Sequence, residues 1–81
     1  EVDQLGEIRR AQGSDPARAL ALANEGQARF PNGVFWQERE LAAIMALRRL
    51  GRADEARTRA DAFLARHPET PFAEVLRGSA P

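Results

Sequence analysis

At 81 residues the chain is long enough for one small domain with a single modest core. Its twelve basic residues are all arginine and are matched by twelve acids, for a formal net charge of zero, so a concentrated basic face for DNA or RNA is not expected. The absence of cysteine removes disulfides, thiolate metal sites and a cysteine nucleophile, and no apolar run approaches the roughly 20 residues of a membrane helix.

The arginine-only usage, with alanine as the commonest residue, reads as coding bias and not as a partner signal. The opening stretch EVDQLGEIRR lacks the basic start and apolar centre of a signal peptide. The chain begins without Met and is expected to be one segment of a longer protein.

Breakers divide the sequence at Gly13-Ser14-Asp15-Pro16, at Pro31-Asn32-Gly33, at Gly51, between Pro68 and Pro71, and from Gly78 to Pro81. Between them lie segments rich in Ala, Leu, Arg and Glu, all good helix formers, while Val, Ile and Thr are too scarce for a sheet. The reading is therefore all-α, with five helices at 2–12, 16–30, 34–50, 53–67 and 71–77. Asp15 is placed to accept from orphan amides at the start of the second helix, with Pro16 in its first turn, and Thr70-Pro71 is read as the same device. In the third helix Leu41, Ile44, Met45 and Leu47 recur at three- and four-residue steps. In the fourth, Ala56, Ala60, Phe63 and Leu64 do the same, Asp54 and Glu55 suit the positive end of the helix dipole, and His67 precedes the terminating Pro68. Glu25–Arg29 and Glu55–Arg59 are expected as exposed pairs one turn apart.

The halves repeat. Ala19, Ala23, Phe30 and Pro31 recur as Ala56, Ala60, His67 and Pro68, each 37 positions later. Leu5-Gly6 marks the first helix, Gly13 and Gly51 mark the turns, a small Ala opens each second helix, and a Pro closes each unit. This order resembles the tetratricopeptide repeat. The resemblance covers nearly the whole chain: one repeat at about 1–31, a second at about 32–68 and a truncated helix at about 70–78. The second half is the better match. The first carries an extra residue in its turn and Gly26 inside its second helix, and neither has the large aromatic usual in the first helix. The family's common period is about 34. The longer spacing here, with "FPNGVFWQERELA" before the third helix, is similar to repeats of bacterial cell-envelope proteins such as outer-membrane assembly lipoproteins and the periplasmic Tol-Pal coordinator. It is also similar to short repeat tails on membrane-anchored regulators.

The resemblance implies antiparallel helix pairs stacked as a short right-handed superhelix. It implies a non-catalytic scaffold or adaptor that binds a peptide or helix on its concave face, in the bacterial envelope on the periplasmic side. Groove positions carried over from the family are Asp3, Glu7 and Arg10 on the first helix, and Glu38, Leu41, Met45, Arg48 and Arg49 on the third. Arg48 and Arg49 are candidates to fork onto a partner carboxylate. Asp3 and Glu7 stand where chaperone-binding members carry a basic-and-amide clamp, so that specificity is not expected. The alternative is a regulatory or oligomerisation domain of a membrane-anchored sensor or anti-sigma-type protein, self-associating through an open end.

Catalytic and cofactor chemistry is not expected. His67 is the only histidine, and no Ser or Thr is fixed near it. Glu38 and Glu40 are two apart on a helix and do not face one another. No metal-ligand spacing and no phosphate-binding glycine loop occurs. The aromatics Phe30, Phe35, Trp36, Phe63 and Phe72 are expected to fill the space between helix pairs.

Overall fold

A computed structural model describes residues 2–78; Glu1 and the end of the last breaker segment, residues 79–81, lie outside them. Five helices follow in order: α1 Val2–Gln12, α2 Pro16–Arg29, α3 Trp36–Arg49, α4 Ala53–Arg66 and α5 Ala73–Leu76. Asp15 starts α2 as the sequence predicts: its side chain accepts from the Arg18 N–H at 3.0 Å, and Pro16 sits in the first turn. Between α3 and α4 the reversal requires glycine. Gly51 adopts φ 76°, its N–H reaches Arg48 O at 3.1 Å, and the Arg52 N–H reaches Leu47 O at 2.9 Å. This is the paired-bond helix stop that a left-handed residue makes available.

The two inter-pair junctions are built alike. Before α3, Phe30 donates to Gly26 O, Gly33 to Phe30 O, Trp36 to Gly33 O and Arg39 to Phe35 O. Before α5, His67 donates to Phe63 O, Thr70 to His67 O, Ala73 to Thr70 O and Leu76 to Phe72 O. Every donor and acceptor of the second set lies 37 positions after its counterpart in the first. The internal repeat of the sequence is thus also a repeat of backbone hydrogen bonding.

Each helix lies on its neighbours in sequence, and α1 also reaches α3. The central α3, between α2 and α4, buries Ala42, Ala43, Ile44, Ala46 and Leu47, which spreads its buried residues around most of its circumference. Eight of the fifteen buried hydrophobic residues are alanine, which lets helices approach closely while burying little apolar area per residue. The radius of gyration, 11.8 Å, is that of a folded chain of this length and not of an extended arm.

Three expectations are corrected. α3 begins at Trp36 and not at 34, leaving Val34 82% exposed in the preceding turn. Thr70-Pro71 does not cap a helix. The Thr70 hydroxyl donates to Gln37 Oε1 at 2.8 Å and accepts from the Phe72 N–H at 3.3 Å, so Pro71 and Phe72 form a turn and α5 starts only at Ala73. Glu55 pairs with Arg52, 2.8 Å through both carboxylate oxygens, and not with Arg59. The expected Glu25–Arg29 pair is present at 3.4 Å.

Candidate protein-binding surface

The eight predicted groove residues are not on one surface. Asp3, Glu7 and Arg10 are exposed on α1. Glu7 and Arg10 line a cleft of about 280 Å³ with Ser14, Asp15 and Arg18, on the α1–α2 edge. Glu38 and Leu41 line a different depression of about 180 Å³, whose other walls are Leu5, Ile8, Arg9, Gln12, Ala42 and Phe72. Met45 and Arg49 line a third, of about 220 Å³, with Gln12, Pro16 and Ala46. The last two share Gln12 and lie next to one another along the α1–α3 furrow. Arg48 lies elsewhere, beside α4 and α5.

The furrow has an apolar floor and polar ends. Leu5 and Ile8 are buried beneath it, while Leu41, Met45 and Phe72 remain half-buried and reachable. Arg9 and Glu38 border one part and Arg49 the other. The α1 side is therefore Leu5, Ile8, Arg9 and Gln12, not Asp3, Glu7 and Arg10. The sequence signal for this was the apolar stripe Leu5–Ile8, which marks the side of α1 turned toward the core.

The two arginines read as partner-binding groups are engaged within the chain. Arg48 donates to Val75 O at 2.8 Å and Leu76 O at 3.0 Å. Arg49 donates to Gln12 O. Both guanidiniums satisfy carbonyls at helix ends, where the backbone leaves acceptors without intrahelical donors.

Sequence reading missed a buried polar cluster. Arg39 is fully buried, with its Nε–H donating to Gln27 Oε1 and an Nη2–H to Phe30 O, each at 2.7 Å. Glu40 receives Arg59 through both oxygens at 2.8 and 2.9 Å, and the Gln27 amide at 3.0 Å. Arg59 continues to Asn24 at 2.8 Å. Burial would raise the Glu40 pKa, but the hydrogen bonds from Arg59 and Gln27 and the charges of Arg59 and Arg66 outweigh it and hold the carboxyl below its ordinary value. A carboxylate held ionised by this many donors is poorly suited to accept a proton in a reaction.

His67 ends α4. Its ring lies 5.3 Å from Trp36 and 5.8 Å from Phe63, and Arg66 covers the Trp36 ring at 4.2 Å. Trp36 and Phe63 meet edge to face at 5.3 Å, which places Trp36 in the α3–α4 contact. Among the described residues no group of three His, Asp or Glu side chains is placed to hold a metal ion, and no helix is long and apolar enough to cross a membrane. Compared with protein families, with curated proteins and with solved structures, the chain finds no match.

Proposed function

We propose that this chain is a non-catalytic protein-interaction module of tetratricopeptide type, a scaffold or adaptor segment that receives a peptide or helix along the α1–α3 furrow. The observation that carries the proposal is the furrow itself. Two helices of equivalent position in successive repeats flank an accessible apolar strip, Leu41 and Met45, with Arg9, Glu38 and Arg49 as charged borders. An amphipathic partner would set apolar side chains on this strip and charges at its borders, the arrangement that peptide grooves use. Met45 adds an adaptable surface that tolerates more than one side-chain shape. The duplicated junctions support the repeat reading, because helix pairs joined by identical turns stack in a regular progression. The long period favours a place in the bacterial envelope, on the periplasmic side.

The test is site-specific photo-crosslinking of the full-length protein in its own cells. A photoreactive phenylalanine analogue replaces Met45 in one sample and the exposed Arg29 in another. A discrete protein adduct at Met45 that is absent at Arg29 is the expected result. Identical adduct patterns at both positions, or none at Met45, would remove the furrow as the binding surface.

A further inference from the structure

The α4–α5 side of the molecule carries a second site. α5 is stopped after one turn by Gly78, whose φ of 67° and N–H bond to Val75 O at 3.1 Å repeat part of the stop made by Gly51. One stretch of α4, from Ala53 through Arg57 and Asp61 to Leu64, therefore borders a cleft of about 550 Å³ with Leu76 and Arg77 on the other side. That volume lies in the roughly 300–1,000 Å³ range of ligand pockets. The first half of the chain treats the equivalent face differently. Leu20, 37 positions before Arg57, is 8% exposed in the core. Where α2 presents leucine, α4 presents an exposed arginine.

The charge around the cleft is one-sided. Among the described residues that line it, Arg48, Arg57 and Arg77 stand against a single carboxylate, Asp61. Arg48 is tied to the carbonyls of Val75 and Leu76 and fixes the wall. The side chains of Arg57 and Arg77 are exposed and hold no hydrogen bond or ion pair among the described residues. Between them lie the half-buried Leu64 and the buried Leu76. Guanidinium forks match carboxylates in pairs. An apolar floor offers nothing to a bare inorganic anion, whereas a peptide can set a side chain on it.

We propose that this cleft binds an acidic peptide segment, with carboxylates on Arg57 and Arg77 and one apolar side chain on Leu64 and Leu76. Its lining shares no residue with the α1–α3 furrow, although Arg48 donates to Met45 Sδ at 3.6 Å.

Fluorescence anisotropy with the intact chain tests it. The probe is a labelled five-residue peptide with four Asp or Glu residues around one leucine; its Asn/Gln counterpart and inorganic phosphate are the comparison ligands. The acidic probe is expected to bind, to weaken at least ~10-fold in Arg57→Glu/Arg77→Glu, and to weaken with added salt. Arg9→Ala, at the border of the furrow, is expected to leave binding unchanged. Arg57→Ala alone is expected to weaken it about 3-fold and serves if circular dichroism shows the double variant unfolded. Equal binding of the uncharged counterpart, displacement by phosphate as effective as by unlabelled peptide, loss of binding in Arg9→Ala, or no binding of the acidic probe would each overturn the proposal. None of these results bears on crosslinking at Met45, so the two readings fail separately.

Discussion

Gly26 sits in the middle of α2, where alanine would be favoured by about 1 kcal/mol on helix propensity alone. A Cβ at this position would lie 2.6 Å from Arg39 Cδ and closer still to Gln4 Oε1. Neither neighbour yields easily, since Gln4 is 6% exposed and Arg39 fully buried. Overpacking a filled site costs roughly 1–3 kcal/mol, so Gly26→Ala is expected to lower stability by about 1 kcal/mol net despite the better propensity; a thermal melt at or above the wild-type midpoint would refute this account. Gln4 and Arg39 together are the reason the glycine is needed, and Arg39 is the more deeply buried of the two. Its guanidinium holds Gln27 Oε1 and Phe30 O, and Arg39→Ala leaves Gln27 Oε1 without that donor, while Phe30 O keeps the Gly33 N–H. A loss of about 3–5 kcal/mol in urea unfolding is expected, against no more than about 0.5 kcal/mol for the exposed Arg29→Ala. A domain of this size has roughly 4–12 kcal/mol in total, so Arg39→Ala places the fold near its limit. A glycine inside a helical pattern does point to a close approach. The identity of the approaching side chain was not legible, because Arg39 is buried by partners on α2 that only the folded arrangement supplies.

At the level of elements, α3 holds α1, α2 and α5 by their C-terminal ends. Arg39 donates to Phe30 O after α2, Arg49 to Gln12 O at the end of α1, and Arg48 to Val75 O and Leu76 O at the end of α5. Each places a cation where the helix dipole is negative and acceptors are otherwise unfilled. The helix boundaries set by local chemistry were legible: Asp15-Pro16, Gly51 and the stop before Pro68 all act where the sequence put them. The start of α5 was not, because Thr70 is held by Gln37 of α3, a contact 33 positions away. Which of the expected groove residues share a depression was not legible: Leu41, Met45 and Arg49 line the depressions between α1 and α3, whereas Arg48 looks equivalent in sequence and is drawn by folding to the carbonyls of Val75 and Leu76. A one-turn helix has no stability of its own, so α5 depends on such contacts. Arg48→Ala is therefore expected to raise amide exchange in Ala73–Leu76 several-fold while the global unfolding free energy falls by only about 1–2 kcal/mol. Unchanged exchange in α5 would mean that Leu76 burial alone holds it.

Across the whole molecule, an alanine-rich core makes helix spacing tight but leaves much of the cohesion between helices to a few polar groups. Glu40 is the most connected of them: on α3, it meets Gln27 of α2 and Arg59 of α4, and Arg59 in turn meets Asn24 of α2. Three helices thus depend on one ionised carboxylate, and stability should follow its charge. Because the folded pKa of Glu40 is depressed, folding favours the ionised form. Its contribution is fully present above the ordinary glutamate value, near 4.3, and declines as pH falls through that value toward the lower folded pKa. Glu55 is depressed as well by Arg52, but that pair lies at the surface, where salt screens it. The two can be separated by urea unfolding between about pH 7 and about pH 3 at low and high salt. Glu40→Gln should be less stable than wild type at neutral pH, and the gap should narrow on acidification, since a protonated Glu40 and a glutamine are both uncharged. That narrowing should persist in high salt. Glu55→Gln should differ little from wild type, and only at low salt. Parallel pH curves for wild type and Glu40→Gln would show that the carboxylate linking the three helices contributes nothing through its charge, and that the alanine-lined contacts hold them together unaided.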